Sequence, residues 1–381
     1  MILEKSVLDY IQSKANKEFD PYYLYNSEKI KEKCQLFLQI PYPNKSIHFA
    51  TMANINHQFL NLIKENGLNV FVNSHLHLDA VQNVGFREKE IIFTSSAMSV
   101  NTMKIVDRSN ARVNLDSPKQ LKQWKELFPS KKVGIRCNIG DKVKPYSNHA
   151  GSFIGKESRL GFTWDEIQSI EDKSFINGLH LYVGTDVFDI NYFIECYNEL
   201  IRFSDIFPNL EYLNFGGGFG VSEDGKTQFD IKTYGEKVSE LMGKVSKNRN
   251  KNIQLILEPG RIIGGNSGYF ICFVTDTKKR KDRDLVGVNA STVQFSRPLL
   301  YPDSANHPVV VIRKGKQVLS VEKRTTTIHG CSTYSRDIFS DKILLPEIKI
   351  GDIIVFGNSG SYCGSSYMNF LGFEKPQEYF I

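Results

Sequence analysis

The 381-residue sequence contains no apolar run near the roughly 20 residues that a membrane-spanning helix requires; Val309–Ile312 is typical of its unbroken stretches. It has no C-x-x-C pair. The six cysteines (Cys34, Cys137, Cys196, Cys272, Cys331, Cys363) stand far apart, which argues against a zinc site and a disulfide framework. Clustered positive charge is also scarce. With 48 Lys and Arg against 42 Asp and Glu, the net charge of +6 is spread along the chain. The one basic run, Lys278-Lys279-Arg280-Lys281, is diluted by Asp282 and Asp284 and reads as a solvated turn. Nucleic-acid binding, which needs a basic stripe on one face, is thereby disfavoured. Met1–Lys5 shows no basic-then-apolar leader, so a cytoplasmic location is expected.

What is present is ordinary for a globular enzyme with a large core: 41% apolar and 24% charged residues, over a length that predicts two domains. Eight β-rich runs alternate with amphipathic helices: 46–51, 68–73, 90–94, 111–115, 132–137, 177–183, 210–215 and 252–258. The helices have legible ends. Gly67 and Gly85 sit where left-handed C-caps are wanted. Ser117-Pro118 supplies an N-cap with proline at the first helical position, and Thr163–Glu166 fits a capping box. Eight such units predict a closed (βα)8 TIM-like barrel over 26–265. A doubly wound open sheet is the runner-up, but Met52-Ala53-Asn54 replaces the G-x-G-x-x-G its first turn should carry. After about residue 265 the texture changes to strands and turns, at 269–275, 285–289, 309–313, 317–322 and 352–356. This predicts an all-β domain of residues 1–25 and 266–381.

Two motifs fall at the C-terminal ends of barrel strands, where such barrels build active sites. Gly216, Gly217, Gly218 and Gly220 follow the seventh strand; their missing side chains let backbone N–H groups approach an anion. A flexible turn is the plainer reading, but a turn rarely needs so many glycines. Glu258-Pro259-Gly260-Arg261 follows the eighth strand. It places a guanidinium able to grip a phosphate beside a carboxylate able to hold a protonated ring nitrogen; a surface ion pair between the two is the alternative.

With these residues the chain resembles the fold-type III pyridoxal-phosphate decarboxylases, which include diaminopimelate, ornithine and carboxynorspermidine decarboxylases. The similarity runs from about Tyr23 to Tyr379. It implies cofactor contacts from Arg136, Gly216–Gly218, Glu258 (on the pyridinium nitrogen), Gly260, Arg261 and Tyr362 of Gly360-Ser361-Tyr362. The R-P-x-L-Y element matches Arg297–Tyr301 and implies substrate binding by Arg297 and Tyr301, while Ser158-Arg159-Leu160-Gly161 matches a further family element. The resemblance also implies a homodimer, with the C-terminal motifs at the subunit interface.

The departures are as specific. The A-x-K-A-N carrying the Schiff-base lysine reads Ala50-Thr51-Met52-Ala53-Asn54, and no lysine lies between Lys45 and Lys64. Methionine has no amine for the covalent link, yet its length and shape suit the slot. Tyr182 takes the place of the ring-stacking histidine and can still stack. In Gly330–Asp337, Thr333 stands where the proton-donating cysteine is expected, with Cys331 two residues early. Tyr334 replaces the acidic substrate reader, and Asp337 is kept. Phe71 and His77 replace acidic family residues near the second strand. His75 and His77, two apart on a helix, diverge, and so read as structural rather than metal ligands.

Three functions compete. The first is a pyridoxal 5'-phosphate-dependent carbon–carbon lyase acting on an amino acid or amino-acid conjugate, with Met52 a trapping substitution and the cofactor held non-covalently. The second is a naturally diverged protein using the same site for other chemistry or as a carrier. A non-catalytic partner subunit is the third. Joint change at Met52, Tyr182, Thr333 and Tyr334 favours natural divergence; persistence of Glu258, Arg261, Arg297 and Tyr362 favours retained cofactor binding.

Overall fold

The computed structural model describes residues 1–14, 20–146, 152–222, 227–302 and 304–381. The chain divides into two compact units, Lys31–Gly220 with Gln228–Ile263, and Met1–Ile30 with Gly264–Ile381 and a short piece around Val221.

The first unit is a closed barrel of eight parallel strands in chain order: Lys45–Ala50, Asn69–Val72, Ile91–Thr94, Arg112–Leu115, Val133–Arg136, Ile176–His180, Tyr212–Asn214 and Gln254–Leu257. The helix signals hold. Asn56 caps His57–Glu65, Ser74 caps His75–Val84, and Gly85 ends the latter at φ +96°. Pro118 opens its helix behind Ser117. Thr163 and Glu166 form the reciprocal capping box over the short helix Trp164–Gln168.

The barrel interior is filled rather than hollow. Tyr212 lies across the fifth and sixth strands, where a Cβ on Gly134 or Gly178 would collide with its ring or hydroxyl. Its hydroxyl donates to Asn114 Oδ1 at 2.8 Å. Arg112 stacks on the same ring at 4.5 Å and donates to Gln254 Oε1 at 2.9 Å. Ile92, Ile256 and Phe71 pack beside it. Tyr212 is therefore a plug, admitted by two glycines and locked by polar contacts on either side.

The second unit is a mixed, mostly antiparallel nine-stranded sheet. Its spine is the twelve-residue strand Gly268–Lys279, paired with Tyr22–Tyr25, Asp284–Val288 and Ile353–Phe356. Leu3, with Val7 and Ile11 of the N-terminal helix Lys5–Lys14, packs onto it with Leu24, Ile271 and Val355. Three expectations need correction. Lys278 and Lys279 are strand residues opposite Leu285 and Asp284, so the turn is confined to about residues 280–283. The expected strand 317–322 shrinks to Lys316–Gln317, because Leu319 and Val321 lie exposed with no strand beside them. Arg324–His329 and Ile338–Leu345 form an unforeseen bulged hairpin.

Candidate active site in the barrel mouth

Parallel register gathers the polar residues of the barrel rim into one layer. Arg136 is the register partner of His180, and His180 of Asn214, so consecutive strands deliver three polar side chains at one height. Glu258 follows the eighth strand and closes the row. It is 4% exposed, with Oε2 3.2 Å from His180 Nε2 and Oε1 accepting from Asn214 Nδ2 at 2.6 Å. Burial by itself would raise its pKa; His180 and the Asn214 amide outweigh this and hold it below the usual carboxylate value. Glu258 is thus maintained as an anion, the form that keeps a proton on a heteroaromatic nitrogen.

Arg136 is anchored from behind. Its Nε lies 3.9 Å from Asp116 Oδ1, and Asp116 also accepts from Ser96 Oγ at 2.7 Å and from the Gly161 N–H at 3.1 Å. Gly161, in the Ser158–Gly161 element, adopts φ +79° against the backbone at Cys137, where no Cβ fits. Among the described residues, Arg136 Nη2 is buried with no acceptor and His180 Nδ1 is buried with no hydrogen-bond partner. Two buried donor-capable atoms without partners, beside a buried carboxylate, fit a polar ring ligand.

The glycine loop supplies the second half. A Cβ on Gly216, Gly217 or Gly218 would strike the carbonyl oxygens of Leu181, Glu258 or Gly184 respectively, so all three glycines are required by close packing of strand ends. The Gly216 N–H is spent on Asn214 Oδ1 at 2.9 Å. Among the described residues the N–H groups of Gly217 and Gly218 meet no acceptor, which leaves two adjacent donors for an anion. Arg261 is buried and donates from Nε to Asp186 Oδ1 at 2.7 Å. The ion pair thus joins Arg261 to Asp186 and not to Glu258. Gly260 lies in the turn between the two motif residues and Tyr182 is half-buried, its ring edge-on to Phe153 at 4.7 Å.

Met52 sits in the turn after the first strand, pinned by the Ala50 N–H to the Pro259 carbonyl and the Ala53 N–H to the Ala50 carbonyl, both at 3.0 Å. Next to it, Thr51 Oγ1 donates to the Phe71 carbonyl at 3.0 Å and lies 2.8 Å from His77 Nδ1. His77 is therefore tied to Thr51, and no group of three or more metal-ligating side chains occurs among the described residues.

Asp337 was expected to bind substrate, but it is 3% exposed and fully occupied. Oδ1 accepts from Ser291 Oγ, Thr292 N–H and Thr292 Oγ1, and Oδ2 from Ser332 N–H and Oγ. It clamps the loop that carries Cys331, Thr333 and Tyr334. Cys331 and Thr333 are exposed, and the Tyr334 ring meets Phe370 edge-on at 5.6 Å. Arg297 is buried on a single helical turn, 5.8 Å from the Tyr301 ring. Tyr362 takes the left-handed conformation at φ +56°.

Four site residues escaped the sequence reading: His180, Asn214, Asp186 and Asp116. His180 stood two positions before Tyr182 on the same strand, the one signal that it shared the barrel-facing side.

A (βα)8 barrel whose rim joins a glycine anion cradle to a buried carboxylate defines a binder of phosphorylated heteroaromatic cofactors. Residues 27–265 match the family model described as "Pyridoxal-dependent decarboxylase, pyridoxal binding domain". The chain belongs to the pyridoxal-dependent decarboxylase family, a family of carbon–carbon lyases whose cofactor is pyridoxal phosphate. Diaminopimelate decarboxylase of Buchnera aphidicola (Schizaphis graminum) is 27% identical over 92% of this chain and 86% of its own length. Its counterpart from Methanothermobacter thermautotrophicus is 25% identical over 95% and 86%. Among solved structures, diaminopimelate decarboxylase from Helicobacter pylori, complexed with L-lysine, superposes with TM-score 0.85 at 23% identity, covering 96% and 92% of the chains. Lysine/ornithine decarboxylase from Vibrio vulnificus, complexed with putrescine, gives 0.84 at 17% identity over 100% and 99%. An SrLDC variant in complex with PLP gives 0.84 at 19% over 100% and 96%.

Proposed function

We propose that this chain binds pyridoxal 5'-phosphate non-covalently and does not carry out ordinary amino-acid decarboxylation. One observation carries the reading. The barrel rim keeps the buried Glu258 beside the glycine loop, which supports ring and phosphate binding, while the turn after the first strand carries Met52, which has no amine. Gly217, Gly218 and Arg261 would hold the phosphate, with Tyr362 adding its hydroxyl. Glu258 would hold the proton on the ring nitrogen, Tyr182 would stack, and Arg136 would border the ring. The bound cofactor supplies an electron-withdrawing ring; without a lysine at position 52 the turn after the first strand has no amine to attach or release it covalently. Thr333 compounds the loss, since a hydroxyl is a far weaker acid than a thiol of pKa about 8.5.

The ligand accompanying the cofactor is inferred to be amino-acid-like, its carboxylate met by Arg297 with Tyr301 alongside. Tyr334 offers no charge to a distal ammonium group, which disfavours diaminopimelate itself. A cytoplasmic homodimer is the inferred form, and the family resemblance supports placing the C-terminal motifs at a subunit interface; light scattering giving a stable monomer at micromolar concentration contradicts it. Borohydride reduction followed by intact-mass measurement tests the central reading. No phosphopyridoxyl mass is expected on the chain, and an adduct on any barrel lysine overturns it. Calorimetry of Arg261→Ala should show weaker binding by about 1.5–3 kcal/mol, the contribution of a hydrogen bond to a charged group.

A further inference from the structure

The rim has a second peculiarity, where the first two strands end and the Ala50 N–H meets the Pro259 carbonyl next to Glu258. Met52, Phe71 and His77 form one linked patch. The Thr51 N–H and hydroxyl both donate to the Phe71 carbonyl at 3.0 Å, the same hydroxyl meets His77 Nδ1 at 2.8 Å, and it lies 3.9 Å from Met52 Sδ. Ala50 and Phe71 are register partners, so the first two strands end together here. The Phe71 ring packs on Ile92, Tyr212 and Ile256, and its centroid lies 6.5 Å from the His180 ring. The ring is thus an apolar face of the barrel interior that reaches toward the polar layer at His180. The Thr51 hydroxyl thus has three neighbours, the Phe71 carbonyl, Met52 Sδ and His77 Nδ1, and it holds the imidazole in place through Nδ1. Burial lowers the His77 pKa from its ordinary value, which keeps the ring neutral at physiological pH. Among the described residues, the buried rim carboxylates Asp116 and Glu258 are already engaged, Asp116 by Arg136, Ser96 and Gly161, and Glu258 by His180 and Asn214.

We propose that the patch of Met52, Phe71 and His77 selects pyridoxal-phosphate-type ligands whose 4' substituent carries no positive charge. The inference rests on the reading that the barrel rim holds such a ring with its 4' side toward position 52. A 4'-ammonium would lose its hydration there and gain no counter-charge, which is strongly unfavourable. An aldehyde, hydroxymethyl or methyl group meets no such penalty. The selection also follows from the joint nature of the replacements: a cation and two anions of the family pattern are all absent, so the corner is electrically neutral as a unit.

The test is calorimetric titration of the full-length chain at pH 7.5 with four probes: pyridoxal 5'-phosphate, pyridoxine 5'-phosphate, 4'-deoxypyridoxine 5'-phosphate and pyridoxamine 5'-phosphate. The three uncharged-substituent probes should each bind at least about tenfold more tightly than pyridoxamine 5'-phosphate. In Phe71→Asp, and in the milder His77→Glu should Phe71→Asp fail to fold, that ratio should collapse or invert. Pyridoxamine 5'-phosphate binding within about threefold of 4'-deoxypyridoxine 5'-phosphate overturns the inference while leaving the cofactor reading intact. Failure of all four probes to bind removes the cofactor reading and the inference with it.

Discussion

The two halves of the barrel rim solve opposite problems with the same strand geometry. On the fourth to eighth strands, Asp116 pairs with Arg136, and Glu258 with His180 and Asn214, which keeps charge inside the protein. On the first three the residues are neutral: Thr51 contacts Met52 and His77, and Phe71 packs on Ile92. Register explains why each half is coherent: parallel pairing puts side chains of adjacent strands at one height, so a change on one strand is felt by its neighbours. Loss of one ionic member therefore leaves its partners costly, and the neutral half shows the state in which all have gone.

The largest expected effect lies in the charged half. Glu258→Leu strips His180 and Asn214 of their acceptor, and should destabilise the chain by about 3–5 kcal/mol in urea unfolding. A cost no larger than that of an ordinary surface change would mean that the polar layer is not coupled. Next comes a buried base below the neutral patch. His48 is fully buried, and desolvation takes its pKa down from 6.5 to about 4, with Arg112 adding to the fall and the Val70 carbonyl opposing it. The unfolded chain takes up this proton first. Stability from His48 is thus complete above pH 6.5 and is lost as pH falls toward 4, by about 3 kcal/mol in all. Unfolding titrations at pH 7 and pH 4.5 should show the loss, and His48→Gln should reduce it.

Gly217→Ala attacks the joint between the halves, since the new methyl meets the Glu258 carbonyl. A destabilisation of about 1–3 kcal/mol is expected, together with loss of phosphate-ligand binding by calorimetry. The smallest effect belongs to the neutral half. Met52→Leu conserves volume and charge, and should change stability by less than about 1.5 kcal/mol; a larger melting shift would show that the thioether makes a specific contact.

The sequence reading located the barrel strands to within a few residues because Val, Ile and Leu runs between capped helices are local signals. The glycine loop and Glu258–Arg261 were legible for the same reason: each is contiguous. What could not be read was pairing. Glu258 meets His180 across 78 residues and Arg261 meets Asp186 across 75, and nothing in either segment announces the other. The hydrogen bonds of Asp337 were hidden on similar grounds, because its hydroxyl donors Ser291 and Thr292 lie more than forty residues upstream. The hairpin of Arg324–His329 and Ile338–Leu345 hid behind its bulges between Thr326 and His329, which break the two-residue alternation by which strands are recognised.

Tyr212 has a kinetic consequence. With its ring laid over Gly134 and Gly178 and braced by Arg112, the barrel is a vessel sealed at its floor. Whatever enters by the rim must leave by the rim, so arrival and departure share one doorway and are slowed in equal proportion by anything that covers it. A second molecule resting on the rim would lengthen the residence of the first without strengthening its hold, and dissociation would then follow the reverse order of loading.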